Sequence, residues 1–275
     1  FNDFAEANDV TRRGRELIQR AVGLLEGLDA QVIEVDTDGI YFVPPPAVRS
    51  ESDADALVEK LASVLPEGIK LEIDGRYPSM LSYKMKNYVL LDETGEMTIR
   101  GSGLKSRGLE RFQRRFMEEM FALLMADRGG EFAALYHRWL GKLERHEIGI
   151  DDLMKTETLQ DSLESYRAKM SGNRRNVSAA YELALKSARR YQSGDQISYY
   201  VIGRSPRVRV AEAARLAADY DAKNPDENVA YYQSKLLELY EKFRIFADRP
   251  GLFPAIALES AEQQTGSLFD LPKPD

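Results

Sequence analysis

The chain has 275 residues with 38 Lys and Arg against 45 Asp and Glu, a net charge of -7, no Cys and two His, and it begins at Phe1. Without Cys there is no disulfide framework, no thiolate nucleophile and no Cys-held zinc or iron–sulfur centre, so any metal must bind oxygen. At 43% apolar residues the composition suits packed cores rather than disorder, and the length fits about two domains cut from something longer. The longest apolar stretch, Phe121 to Ala126, is far short of the roughly 20 residues of a membrane span, and the first residues lack the basic-then-apolar layout of a signal peptide. A soluble, cytoplasmic protein is the expectation, and the acidic total by itself argues against a polyanionic partner.

Between Asn8 and Leu28, Val10, Leu17, Ile18, Ala21, Val22, Leu25 and Leu28 recur at helical spacing, with Asp9 or Thr11 as N-cap. Gln31 to Asp36 and Ile40 to Val43 are β-branched or aromatic runs around Thr37-Asp38-Gly39, a hairpin pattern that Pro44-Pro45-Pro46 terminates. Ser52 to Leu65 returns to helical period. Ile69 to Ile73 and Tyr83 to Leu91 read as strands, and Asp92-Glu93-Thr94-Gly95 turns into another, Met97 to Arg100. Up to the joint Gly101-Ser102-Gly103 this is an α+β layer pattern. Beyond it the pattern is mostly helical: Leu109 to Met125, Glu131 to Leu143 with the single Trp139, Leu159 to Met170, Val177 to Tyr191, Val210 to Tyr220 and Val229 to Phe246. One strand-like run, Gln196 to Ile202, interrupts the helices, and the segment after Ala261 reads as a mobile tail.

Asp36 and Asp38 stand two apart at the mouth of the hairpin, where an extended chain projects both to one side. Like charges so close resist joint ionisation unless a cation neutralises them, and Mg²⁺ is the oxygen-seeking ion that suits carboxylates. Two such ions clamping the oxygens of a phosphoryl transfer are the chemistry this pair points to. Asp and Gly are also ordinary turn residues, so the spacing alone leaves a plain turn open.

The flanking residues carry a resemblance. Val32 to Phe42, with Asp36-Thr37-Asp38-Gly39 at its centre, resembles motif C of the family B DNA polymerases, an Asp-Thr-Asp usually followed by Ser. Val10-Thr11-Arg12-Arg13-Gly14-Arg15 resembles the V-T-x-x-G-R start of the helix before motif C. Lys84-Met85-Lys86-Asn87-Tyr88 is similar to the K-K-R-Y stretch, and Arg100-Gly101 with Leu104-Lys105-Ser106-Arg107 to the K-G-x-E-x-x-R-R-D passage from palm to thumb. Gly194 to Ile202 resembles the G-D-x-V-x-Y-V-I strand, and Asp226 to Tyr232 the D-x-x-Y-Y helix start. The segments stand in the family's order. The sequence departs from the pattern at Gly39 for Ser, Val35 for Gly and Arg100 for Lys, and no R-R-D follows Leu104. Motifs A and B would lie before Phe1. Tyr77-Pro78-Ser79 echoes the end of motif A but follows motif C, so Glu72 and Asp74 are read as a strand end and turn.

The resemblance implies a fragment of a DNA-directed DNA polymerase: residues 1–105 the C-terminal part of an α+β palm, 106–260 a mostly helical thumb, 261–275 a flexible tail. Asp36 and Asp38 would be the catalytic, metal-binding carboxylates for two Mg²⁺ ions. Primer–template DNA would meet Lys84, Lys86 and Tyr88, taken as one face of a strand, and Arg100, Lys105, Arg107, Arg174 and Arg175. A deoxynucleoside triphosphate and the upstream palm and fingers complete the site, so the chain alone is not expected to polymerise. The acidic total does not forbid DNA, because DNA meets one face. Arg100, Lys105, Arg107, Arg111, Arg114 and Arg115 form one basic cluster, residues from Arg167 to Arg190 a second, and Arg204, Arg207 and Arg209 a third. Any single Arg of these reads as part of a solvated helix face, whereas the clusters beside the joint read as facing DNA. Gln264-Thr265-Gly266-Ser267-Leu268-Phe269 faintly resembles a peptide that docks on a sliding clamp. His137 and His146 read as ordinary surface or helix residues, and Tyr199 and Tyr200 as structural. Two other readings stay open: a non-catalytic scaffold descended from a polymerase, and a nucleotidyl cyclase-like palm, against which the helical second half speaks.

Overall fold

The structure is a computed structural model that describes residues 4–36, 39–106, 108–172 and 176–247. The chain forms two compact units that part between residues 106 and 107. The sequence expectations at Asp38, Arg107, Arg174, Arg175 and residues 264–269 lie outside the described residues.

The first unit opens with α1 (Phe4–Gly27), the hairpin β1 (Gln31–Val35) and β2 (Ile40–Val43), and α2 (Glu51–Ala62). Ser50 starts α2 as a capping box, its hydroxyl accepting the Asp53 N–H while Asp53 accepts the Ser50 N–H. Ala21 and Leu25 of α1, Leu57 and Leu61 of α2, and Val32 and Val35 of β1 close one core. Val32 and Val35 are three apart, an odd spacing for one face of a strand. They share a face because β1 bulges at Ile33: Val32 pairs with Phe42 and Glu34 with Tyr41, leaving Ile33 without a partner. Ile40 and Phe42 pack against the same core, while Glu34 and Tyr41 turn to the other side.

A second sheet follows, β3 (Ser79–Lys84), β4 (Asn87–Leu91) and β5 (Met97–Arg100), paired antiparallel in chain order. It corrects two sequence expectations. Residues 69–73 form no strand, and Ile69, Leu71 and Ile73 are 37–44% exposed; their alternation supplies a face, but a strand also needs a paired edge. The single strand read from Tyr83 to Leu91 is instead a hairpin that reverses at Met85-Lys86, with Lys86 at φ 60. The turn at Asp92 stands as read, its carboxylate accepting from the N–H groups of Thr94 and Glu96.

In the second unit α3 (Arg111–Met125), α4 (Phe132–Glu144) and α9 (Val229–Ala247) pack together. Phe121 meets Phe243 edge-on at 5.1 Å, Phe116 meets Trp139 at 6.0 Å, and the Trp139 indole N–H donates to Glu119 at 3.2 Å. Each buried ring of this kind contributes about 1.5–3 kcal/mol. Between α4 and α9 lie α5 (Ile150–Leu153), β6 (Lys155–Thr158), α6 (Leu163–Ser171), α7 (Ala179–Lys186), β7 (Gln196–Val201), α8 (Val210–Ala213) and β8 (Ala214–Leu216). The sheet order is β6-β7-β8, with Tyr166 and Tyr181 stacked at 4.3 Å in the core beside it. The sequence suggested one strand here and a helix over Val210 to Tyr220. Pairing of Ala214 to Leu216 with β7 breaks that helix after its first turn, tertiary contact overriding an Ala-rich helical propensity.

Glu110, buried at the start of α3, donates its N–H to Gln113 Oε1 at 3.2 Å. Burial holds its carboxyl above the usual range, against the pull of Lys155, Lys235 and Arg114. The folded chain therefore binds this proton more tightly than the unfolded one, and the stability it carries is present at low pH and lost as pH rises through the folded value. Glu110→Gln, which cannot ionise, is expected to gain thermal stability relative to wild type as pH rises from about 4 to about 7. Parallel Tm curves for the two proteins would contradict it.

Candidate functional site

Asp36 follows β1, and its N–H donates to Gly39 O at 2.8 Å at the end of the β1–β2 hairpin. Because the bulge shifts the phase of β1, Asp36 leaves the strand on the same side as Glu34, away from Val35 and the helical core. Lys86, at the tip of the β3–β4 hairpin, brings Nζ to 2.9 Å from Asp36 Oδ1. Both partners are partly exposed, so the pair is worth no more than about 1 kcal/mol. Its effect is to place a cation against the carboxylate.

Lys86 is held there through its backbone. Glu34, 1% exposed, accepts the Lys86 N–H at 2.9 Å on one oxygen and the Ser82 hydroxyl at 2.8 Å on the other. Burial raises the Glu34 pKa above its ordinary value, and the two donors offset part of that rise. On the far side of the tip, Gly101 sits at φ 92, where an added Cβ would lie 2.1 Å from Lys86 O. Asn87 ties the same corner, accepting the Gly103 N–H at 2.6 Å and donating to Met85 O at 2.8 Å. Beside Glu34 and Ser82, the Tyr88 hydroxyl donates to Tyr41 at 3.2 Å with the rings 5.1 Å apart, and burial pushes the Tyr88 phenol up. Glu34 with Tyr41, and Ser82 with Tyr88, are cross-strand partners in their own sheets, so the two sheets meet through one polar quartet.

Among the sequence-predicted residues, Asp36 and Lys86 are brought together. Lys84, Lys86 and Tyr88 do not share a strand face: Lys84 ends β3, Lys86 is in the turn, and Tyr88 is buried in β4. Arg100 pairs in register with Tyr88 at the end of β5, and Lys105 is exposed with its N–H on Gly101 O. In the second unit Arg115 pairs with Asp152 at 2.6 Å, Lys169 with Asp161 at 2.8 Å and Arg209 with Glu212 at 3.3 Å. Parts of the basic clusters are therefore internally neutralised. Tyr199 and Tyr200 are buried, donating to Glu157 and Asp226. His146 differs from the sequence reading: it sits at φ 54 with Nδ1 2.6 Å from the buried Glu227. No group of three or more His, Asp or Glu that could hold a metal is present among the described residues. Asp36 offers carboxylate oxygen, the donor a hard cation takes, whereas both Glu34 oxygens already accept hydrogen bonds. Glu34, Ser82 and Tyr41 escaped the sequence reading. The signal for Glu34 was there, a lone charge inside Val32 to Val35.

An α+β unit built on antiparallel hairpins, joined to a helical unit with its own small sheet, is the architecture of a polymerase palm and thumb fragment. The DNA polymerase family B model matches residues 4–243, and the chain belongs to that family. It is 28% identical over 241 residues to DNA polymerase 1 of Pyrococcus abyssi, covering 86% of this chain and 30% of that protein. To the DNA polymerase of Methanocaldococcus jannaschii it is 27% identical, over 82% of this chain and 14% of that one. The solved family B DNA polymerase of Pyrobaculum calidifontis matches 87% of this chain and 29% of its own at a TM-score of 0.65 and 22% identity, a likeness of fold. The chain thus spans less than a third of the length of these relatives. Among the described residues no helix is long and apolar enough to cross a membrane.

Gly101→Ala is expected to cost about 1–3 kcal/mol, because it forces both a left-handed backbone and a collision with Lys86. Gly39→Ala, where a Cβ meets nothing within 4 Å, is expected to change stability by no more than about 0.5 kcal/mol. Equal losses in denaturant unfolding would refute the clamp at the hairpin tip.

Proposed function

We propose that this chain is the part of a family B DNA-directed DNA polymerase that carries the motif C carboxylates and the grip on primer–template duplex. The observation that carries the reading is Asp36 at the reversal of the β1–β2 hairpin, in a segment aligned with the family and facing a lysine. Residues 1–105 act as the C-terminal part of the palm, 106–260 as the thumb and 261–275 as a tail, with residues 264–269 offered to a sliding clamp. Asp36 and Asp38 are the residues that would hold Mg²⁺, two ions in the complete site. The metal supplies charge neutralisation for attack of a primer 3′-hydroxyl on the α-phosphate of a deoxynucleoside triphosphate.

The chain's own residues do the rest of the work assigned here. Asp36 presents its carboxylate at the turn, and Lys86 offsets its charge. Lys84, Arg100 and Lys105 of the first unit, and Arg107, Arg174 and Arg175 of the second, are the residues assigned to backbone phosphates, Lys86 being engaged with Asp36. Such contacts carry affinity and register without reading sequence, as a template-copying enzyme requires. Tyr88 contributes through Tyr41 and the packing of the two sheets, its hydroxyl being turned inward. Catalysis needs the upstream palm and fingers, and the cytoplasm is the compartment assigned.

In the polymerase that contains this chain, Asp36→Ala with Asp38→Ala is expected to reduce primer extension by about 100-fold or more, the order for losing a group that stabilises transition-state charge. Full-rate extension by that variant would sink the assignment. For the chain by itself, primer–template affinity should fall with salt at a log–log slope of about −4 or steeper, the value for some five phosphate contacts. A flat slope would remove the phosphate contacts.

A further inference from the structure

Glu34 plays no part in the function proposed above, yet its environment is the most specific in the first unit. An apolar side chain at this buried position would fill space, as Val32 and Val35 do on the opposite face. A carboxylate brings two acceptors, and both are spent on the β3–β4 hairpin: Ser82 Oγ at 2.8 Å and Lys86 N at 2.9 Å. Burying a carboxylate is costly unless such donors meet it. Lys86 in turn adopts φ 60, a left-handed conformation that a side-chain-bearing residue keeps only when its surroundings impose it. Glu34 holds the N–H of that residue, and Gly101 leaves room for its carbonyl. With the backbone gripped on both sides, the ammonium is delivered to Asp36 Oδ1.

We propose that Glu34 is a positioning residue: by fixing the tip of the β3–β4 hairpin it sets Lys86 against Asp36, and so governs how much of the Asp36 charge is open to a divalent cation. This rests on the reading of Asp36 as a metal-binding carboxylate. Lys86 and a cation compete for the same oxygen, so loosening Lys86 strengthens cation binding. Glu34 also faces Asp36 directly as a like charge; Glu34→Gln removes that charge and keeps the acceptor, which separates it from the route through Lys86.

The test is Mn²⁺ titration of the chain, followed by paramagnetic broadening, with amide exchange at Lys86 read in parallel. Lys86→Met is expected to tighten Mn²⁺ binding about fivefold and Glu34→Ala two- to fivefold, the scale of an exposed ion pair. Glu34→Gln, whose amide oxygen still accepts the Lys86 N–H, should keep the wild-type Lys86 amide exchange and bind Mn²⁺ no more tightly than wild type. Glu34→Ala should speed Lys86 amide exchange at least about tenfold, the factor for losing one hydrogen bond, and in the Lys86→Met background it should bind Mn²⁺ as Glu34→Gln does, the two sharing the same loss of charge. An equal effect of Glu34→Ala in both backgrounds, or no effect on either readout in a folded variant, overturns the proposal. If Asp36→Ala binds Mn²⁺ as wild type does, the metal assignment fails instead, and Lys86 exchange still reports on Glu34. Glu34→Leu, which fills the space without an acceptor, replaces the alanine variant should that not fold.

Discussion

The candidate site depends on how two small sheets are joined. The β1–β2 hairpin has too few strands to be stable alone, so its far face must rest on something, and what it rests on is polar. Glu34 meets Ser82 and Tyr41 meets Tyr88, each a side chain donating to or accepting from a defined atom in the other sheet. An apolar contact tolerates sliding, whereas a buried carboxylate with two donors is satisfied in one register only. That directionality carries the hairpin tip, and with it Lys86, to Asp36.

The two units solve the same problem by different means. In the second, helices α3, α4 and α9 are held by rings whose contacts are large and weakly directional, such as Phe121 on Phe243 and Phe112 on Tyr232. Its buried tyrosines then find polar ends: Tyr232 accepts the Val201 N–H at 2.9 Å, and Tyr200 reaches Asp226.

Much of this was legible in the sequence where local pattern and tertiary environment agree. The α1 helix, the hairpin around Asp36, the turn at Asp92 and the long helices α3, α4 and α9 each follow from periodicity and turn residues, within a few residues at their ends. Ile69 to Ile73 misled because alternation is a property of the chain, and pairing is a property of its neighbours. The break at Met85-Lys86 was obscured because Lys86 enters a left-handed conformation that its residue type does not announce; the nearby Asn87, a turn former, was the usable sign. Residues Ala214 to Leu216 have no strand signal at all and are recruited by the exposed edge of β7. At the site, Asp36 and Lys86 were legible singly, but their pairing was not, since the two are fifty positions apart and depend on Glu34.

The bulge at Ile33 acts as a phase shifter. Upstream of it the strand presents its even-numbered Val32 to the helices; downstream it presents the odd-numbered Val35, and the even-numbered Glu34 and Asp36 fall on the side of the β3–β4 hairpin. Deleting Ile33 itself would leave an unbroken ladder with Val32 and Val35 still on the core face and Glu34 and Asp36 on the other, whereas deleting the residue between Glu34 and Asp36 would turn one carboxylate toward the core. The spacing from Glu34 to Asp36 is therefore the constrained one, and the bulge is the place where β1 can change length without exchanging its faces.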